Sequence, residues 1–532
     1  MDQGRRPVAM TGGESDGRAT SVPAEHSSAP LRRRTPARPI LDLPHLWAMA
    51  VLAGVFVFVN LALIPPNDFW WHVRTGQWIV ELGRVPGVDL YSYTQAGQPY
   101  AYSMWWLMQV ALYCLYKAGG LPLVIFVNAL VITASYLLLL RICRRAAGGN
   151  LRWAALSTLA AALLGMGNWV VRPQTISYLF FVLVLCLVER DASDPRDGAR
   201  TFSVRTGLWL LPPLFAVWAN AHAGFVAGLA LLGAYLLARL AAWLLHRGSP
   251  PGGLILVVVL SALSLLINPG GEDTLRHLLA MFRNPVVRSL IAEWIPLTAS
   301  MVDGALCLGV SALLAILLVA SRYRPTTFEV TRLLLFGVMA AMSRRNVSWF
   351  GIVAAPTIGH CLGFWESGRQ HIAAPRRARA RLNLFAAALI ALVALLSLPW
   401  LRPYLPLPQA RLAYVTPDTP VGAADFLRTL PAPRRVFHSE AAGSYLIWAA
   451  PEVPVFIDPR FELYPEAQWR DWYALTMARY DWQAILDRYG VDTLLLGRDG
   501  QAALIEAASA SGAWQQVYQD EAAVILVQSG GP

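Results

Sequence analysis

The feature that most constrains this chain is a series of apolar runs, each long enough, or nearly so, to cross a bilayer. They lie near 46–64, 121–140, 153–170, 173–188, 207–220, 224–245, 253–267, 301–320, 327–342, 346–364 and 383–400. A helix needs about 20 predominantly apolar residues to span the hydrocarbon core. Eleven runs of this kind leave one fold class, a polytopic α-helical membrane protein. Only 14% of the 532 residues are charged and the mean hydropathy is +0.45, against about 25% charged in soluble domains. The net charge of +11 does not point to nucleic acid. The excess is arginine, gathered in the N-terminal tail and in loops between runs, as membrane orientation requires. The five cysteines lie in or beside apolar segments with no metal-type or disulfide spacing. Residues 1–43, rich in Ser, Pro, Ala and Arg, read as a disordered basic tail. The run after them lacks a small-residue cleavage site and ends in Pro65-Pro66-Asn67-Asp68. It reads as a retained span rather than a signal peptide.

One more apolar helix, SMWWLMQVALYCLYKA at 103–118, decides the threading. If it crosses the membrane, the cluster Arg141, Arg144, Arg145, Arg152 falls outside, against the positive-inside rule. If it lies along the outer interface, the basic loops 141–152, 189–206, 246–248, 322–324 and 369–381 all fall inside. Eleven spans follow, with the N-terminus cytoplasmic and the C-terminus outside. Polar clusters at 67–102, 168–174, 218–224, 268–294 and 343–346 then gather on one outer face. Residues 401–532 differ in composition. Short β-type runs (Arg435–His438, Val453–Ile457, Thr493–Leu496, Ala523–Val527) alternate with helical stretches (Gly422–Leu430, Glu466–Ala478, Trp482–Tyr489, Gln501–Ser509). That pattern predicts a small soluble α/β domain.

The outer clusters carry the candidate chemistry. In NDFWWHVRTGQWIVELG (67–83), Trp71, Thr75, Trp78 and Leu82 share one helix face, and Gly83 with Pro86-Gly87 ends the helix. Such a helix can lie in the interface plane. Asp68 reads either as a helix N-cap or as a general base at the water–lipid boundary. Arg172, Arg344 and Arg345 stand at run ends on the side where arginine should be rare, and Arg283 and Arg288 occupy the loop 268–300. Guanidinium groups suit phosphate, though any of them can equally snorkel to ordinary lipid headgroups. His222, in WANAHAG, can donate to a phosphate oxygen or cap a tight turn. Glu293 is a second outer carboxylate, either a substrate contact or a solvated loop residue. Asp458 and Arg460, in VFIDPRFELYP, follow an expected strand, where residues often line a cleft. The alternative is a structural pair that holds the loop, which the pattern favours slightly.

A cytoplasmic N-terminus, a first span with an acid at its outer end, and a long outer loop with interfacial helices resemble the C-type (GT-C) membrane glycosyltransferases. The protein O-mannosyltransferases and lipid A aminoarabinose transferases are examples. The segment SMWWLMQVALYCLYKAGG, followed by a span ending in basic residues, is similar to the arrangement in those enzymes. The segments DFWWH (68–72), RPQ (172–174), WANAH (218–222) and FIDPR (456–460) more closely resemble bacterial membrane proteins described as glycosyltransferase-like. The resemblance implies a GT-C-like transmembrane domain at 44–400, with a first outer loop at 65–102, and an extracytoplasmic α/β domain at 401–532. It implies transfer of a sugar from a polyprenyl-phosphate donor, by inverting displacement, to a glycan, lipid or protein acceptor outside a bacterial inner membrane. Asp68 would be the base. Arg172, His222, Arg344 and Arg345 would hold the donor phosphate. Trp71, His72, Gln174, Asn220, Glu293, Asp458 and Arg460 would line the substrate site. Many GT-C enzymes pair two acids in the first loop, whereas this chain has Asn67-Asp68, so no cofactor is expected and one carboxylate supports a divalent metal poorly. A lipid or glycan flippase and a non-catalytic scaffold with an outer binding domain are the rivals from other classes.

Overall fold

A computed structural model describes residues 41–193, 206–284, 291, 293–367, 380–406, 413–431 and 434–529. The N-terminal tail, most of the basic loop 369–381 and much of the loop 189–206 lie outside them. The helices in chain order begin with α1 Leu43–Leu61, α2 Asp68–Leu82, α3 Trp106–Ala146, α4 Leu151–Gly165, α5 Thr175–Ala192 and α6 Leu211–Ala221. They continue with α7 Phe225–Leu244, α8 Gly252–Leu263, α9 Gly271–Arg283, α10 Val302–Ser321, α11 Thr327–Met342, α12 Val347–Ser367 and α13 Ala380–Leu396. Local chemistry sets several ends. Asp42 caps α1 through the His45 amide, Asn150 caps α4, and Thr326 with Glu329 forms a capping box on α11. Helix α2 stops at Gly83, whose φ of +65° suits glycine. The interfacial segment and the span expected after it form one helix, α3, broken at Gly119–Gly120, where φ at Gly120 is +63°.

The protein is a multi-pass membrane protein, and its span count by length and composition is smaller than expected. Among the described residues, five helices are long and apolar enough to cross: Leu43–Leu61, Trp106–Ala146, Phe225–Leu244, Val302–Ser321 and Arg344–Glu366. The pair Gly252–Leu266 and Gly271–Arg283, bent by 97°, would make six. Several other expected runs form helices of 11 to 17 residues. At about 1.5 Å per residue these fall short of a core about 30 Å thick. Packing within the bundle is close where side chains are small. On α12, a Cβ at Gly351 would lie 3.0 Å from Leu164, and one at Gly363 would lie 2.9 Å from the Ala147 backbone. Small residues let helices approach in this way, and α12 is thereby fixed with Arg345 just before its first turn.

The C-terminal region adds α14 Val421–Leu427, α15 Glu440–Ala449, α16 Glu466–Thr476, α17 Trp482–Tyr489 and α18 Ala502–Ala510. Its strands are β1 Val436–His438, β2 Thr493–Gly497, β3 Trp514–Gln519 and β4 Ala523–Gln528, in the order β1-β2-β4-β3. β1 and β2 are parallel and the other two pairings are antiparallel. β3 was not foreseen, because its alternation (buried Trp514, then exposed glutamines) is weak. The expected strand Val453–Ile457 does not form a strand of the sheet; its Val455 makes an isolated bridge instead. Its partner is the first outer loop: Tyr93 N–H donates to the Val455 carbonyl at 3.1 Å, and Val455 N–H to the Tyr91 carbonyl at 3.0 Å. Both backbone groups of buried Val455 are thus satisfied from the distant outer loop, and Thr94 Oγ1 donates to the Phe456 carbonyl at 2.8 Å, which stitches the outer loop to the C-terminal region.

Candidate active site

A cavity of about 360 Å³ opens where the start of α2, the segment before α5, the end of α6, the loop before α10 and the turn before α12 meet the C-terminal region. Asp68, Trp71, His72, Arg172, Gln174, His222, Glu293 and Arg345 line it. So do Asn67, Tyr100, Trp105, Glu440 and Glu462, which the sequence did not single out. Tyr100 lies in the tyrosine-rich stretch DLYSYTQAGQPYAYS of the first outer loop, and Glu462 lies two residues beyond Arg460. Glu440 sits at the start of a short helix and carries no pattern that would have marked it.

Asp68 is the first residue of α2, and Asn67 holds the cap position without a side-chain cap bond. The N-cap reading of Asp68 therefore does not describe this helix. The carboxylate faces a cation instead. Arg172 Nη1 is 3.6 Å from Asp68 Oδ2, and Arg172 Nη2 is 2.6 Å from Glu293 Oε1. Arg172 is only 12% exposed, while Asp68 and Glu293 remain about one-third open to the cavity. Burial pushes the Asp68 carboxyl above its ordinary value; Arg172 opposes that rise and Glu293 adds to it. For Glu293 burial also works upward, but the Arg172 and Arg345 guanidiniums outweigh it and hold the carboxyl below the usual range. The cavity thus separates two carboxyls by environment, one poised to accept a proton and one firmly ionised. Three atoms on lining residues, Asn67 Oδ1, Trp71 Nε1 and Arg172 Nε, are buried with no hydrogen-bond partner among the described residues.

Both cavity histidines are held neutral, mainly by burial, and nearby positive charge lowers them further. His222 Nδ1 accepts the Gly224 backbone N–H at 2.8 Å and lies 3.0 Å from Ser177 Oγ, which takes the Trp218 indole N–H at 2.8 Å. An acceptor Nδ1 puts the proton on Nε2, so neutral His222 is a hydrogen-bond donor at its far edge. Glycine is required at 224 because a Cβ there would lie 2.4 Å from Ser177 Oγ. His72 Nδ1 is 3.1 Å from Gln109 Nε2 on α3. Arg345 is placed by its own backbone, whose N–H donates to the Glu293 carbonyl at 3.0 Å, and by its guanidinium, 4.9 Å from the Trp294 ring centroid.

Four of the expected residues do not line this cavity. Arg344 turns away, its Nε donating to Asp303 Oδ2 at 2.8 Å. Asn220 accepts the Trp106 indole N–H at 2.6 Å and donates to the Ala216 and Ile267 carbonyls, so it shapes a neighbouring apolar groove. Asp458 and Arg460 are buried and fully engaged. Arg460 binds Asp458 at 2.5 and 2.8 Å, Asp89 of the first outer loop at 2.7 Å and the Tyr102 hydroxyl at 2.6 Å. Its guanidinium also lies 5.1 Å from the centroids of Tyr91 and Tyr100. This pair holds the loop that carries Pro459, Phe461 and Glu462 to the cavity wall. Arg283 ends α9 and is not a lining residue, and Arg288 lies outside the described residues. Among the described residues, no group of three or more His, Cys, Asp or Glu is arranged to hold a metal ion.

In fold, the chain is similar to the GT-C membrane glycosyltransferases. The oligosaccharyltransferase of Archaeoglobus fulgidus, solved with a tethered acceptor peptide, superposes with a TM-score of 0.54 over 85% of this chain and 69% of that one, at 12% identity. ArnT of Cupriavidus metallidurans, a lipid A aminoarabinose transferase, superposes in its apo state with a TM-score of 0.51 over 91% of this chain and 98% of that one, at 15% identity. The same protein bound to undecaprenyl phosphate gives a TM-score of 0.48, at 16% identity over 92% of this chain and 98% of that one. No family model and no curated protein sequence matches the chain.

Proposed function

We propose that this protein is a membrane glycosyltransferase that moves a sugar from a polyprenyl-phosphate donor to an acceptor outside a bacterial inner membrane. The observation that carries the reading is the Asp68–Arg172–Glu293 arrangement, a carboxyl with a raised pKa beside a guanidinium in a partly enclosed cavity. In this reading Asp68 takes the proton from an acceptor hydroxyl as its oxygen bonds to the anomeric carbon. The bond from that carbon to the phosphate oxygen breaks in the same displacement, so the centre inverts. Charge then grows on the leaving phosphate. In this reading Arg172, whose buried Nε has no partner among the described residues, Arg345 and the Nε2–H of neutral His222 would be the donors that meet it. Trp71, His72, Gln174, Tyr100 and Trp105 would bound the sugar. The isoprenoid tail suits the apolar groove of Trp106, Leu107, Val217 and Ile267, since Trp105 faces the cavity and Trp106 the groove.

The same reading keeps the eleven-span threading, with the cavity and the C-terminal domain on the outer face. The test is to incubate the purified protein in nanodiscs with polyprenyl-phosphate sugars carrying a label on the sugar. Transfer to an acceptor, or slow release of free sugar, is the expected result. Movement of intact donor between leaflets without bond cleavage would make the protein a flippase, and neither outcome would leave a scaffold.

A further inference from the structure

In a regular α-helix the Trp71 N–H would bond the Asn67 carbonyl four residues back. In this protein a hydroxyl from the C-terminal region stands between them. Trp71 N–H donates to Ser444 Oγ at 3.3 Å, and the Ser444 hydroxyl donates to the Asn67 carbonyl. Among the described residues that carbonyl accepts one other hydrogen bond, a long one of 3.4 Å from the Trp70 N–H. Ser444 lies on α15, is fully buried and is 373 residues from Trp71 in sequence. It is held there firmly. The Tyr445 ring meets Trp70 edge-on at 4.9 Å, and the Trp70 indole N–H is tied to the Pro65 carbonyl at 3.1 Å. A Cβ at Gly443 would lie 2.1 Å from the Ile457 carbonyl oxygen, so α15 also sits hard against the 455–457 run. The split hydrogen bond falls in the one turn of α2 that carries Asp68. A side chain or water entering the i to i−4 ladder opens and redirects a turn.

We infer that Ser444 is a positioning residue for Asp68. By splitting the first hydrogen bond of α2, its hydroxyl sets where the carboxylate stands relative to Arg172. The C-terminal region thereby acts on the reaction through the backbone of α2, besides supplying cavity wall through Glu440 and Glu462. This inference rests on the reading of Asp68 as the base, so its test has one arm that needs no turnover.

The test uses the full chain in nanodiscs as wild type, Ser444→Ala and Ser444→Cys, the last keeping the volume with a weak hydrogen-bonding atom. In the first arm, sugar release from a labelled polyprenyl-phosphate sugar is followed. Misplacement of a reacting group by about 1 Å costs on the order of 100-fold, so kcat is expected to fall about 10- to 100-fold in both variants. The donor KM should stay within about twofold of wild type. Wild-type kcat in both variants, or a loss confined to KM, would overturn the inference. In the second arm, hydrogen exchange of the 67–72 amides is expected to speed up about five- to tenfold in Ser444→Ala, the effect of losing one hydrogen bond. The rest of α2 should be unchanged. Unchanged exchange at 67–72 would also overturn the inference. If wild type releases no sugar, the transferase reading fails, and exchange alone decides whether Ser444 holds this turn.

Discussion

Replacing Glu293 by glutamine isolates the electrostatic logic of the cavity, because it acts on Asp68 twice with the same sign. It removes a negative charge that raises the Asp68 pKa. It also frees Arg172, now 2.6 Å from Glu293 and 3.6 Å from Asp68, to close on Asp68 alone. Drawing that cation in from 3.6 Å to an ordinary charge-assisted distance of about 2.8 Å adds about 1.3 kcal/mol of attraction at an effective dielectric of about 20. That corresponds to about one pH unit, before the lost repulsion from Glu293 is added. A general base works only when ionised, so activity is present above its pKa and lost as pH falls through it. In wild type the acid limb of kcat/KM should lie above the ordinary aspartate range. In Glu293→Gln it should move down by about one unit or more, and the plateau rate should drop because the base is weaker. The assay is sugar release from a labelled polyprenyl-phosphate sugar, with kcat/KM measured across the acid range. An acid limb that stays in place or moves to higher pH would refute the claim that Glu293 and Arg172 tune Asp68.

Arg172→Ala leaves Asp68 and Glu293 without the cation between them, so the acid limb should move up instead. Donor affinity, read by quenching of the cavity tryptophans with polyprenyl phosphate, should weaken by about 1.5–3 kcal/mol, the range for a charged hydrogen bond. Arg460→Met strands Asp89 and Asp458 as buried acids. About 3–5 kcal/mol should be lost, seen as a lower Tm and as early proteolysis of the first outer loop. Gly76→Ala puts a Cβ 2.0 Å from the Gln109 carbonyl oxygen, where α2 crosses α3. It should destabilise the protein by about 1–3 kcal/mol and uncouple His72 from Gln109, with thermal unfolding as the measure.

The parts of this account legible in the sequence are those fixed by local chemistry. Short polar clusters between apolar runs (Asp68 to His72, Arg172 to Gln174, His222, Glu293, Arg345) mark turns at the ends of helices, and the fold brings those turns into one cavity. Where two neighbours compete, sequence has no means of choosing. Arg344 and Arg345 are adjacent, and contacts from elsewhere in the chain separate them: Arg344 pairs with Asp303 of another helix, while Arg345 packs on Trp294 and lines the cavity. Asn220 sits two residues before His222, yet on the opposite side of the wall, because its amide is claimed by Trp106 and the Ile267 carbonyl. Glu440, Ser444 and the pairing of Val455 with Tyr91 and Tyr93 depend on how the C-terminal region docks onto the first outer loop. Contacts across more than 350 residues leave no periodic trace in either partner.

The central claim is that Asp68 is the base of a glycosyl transfer, and Asp68→Asn tests it most directly. The substitution keeps the shape of the side chain and removes its capacity to take a proton. The protein should purify folded, with unchanged quenching by polyprenyl phosphate, and release or transfer of labelled sugar should fall by at least about 100-fold. Turnover at the wild-type rate in that variant would contradict the account.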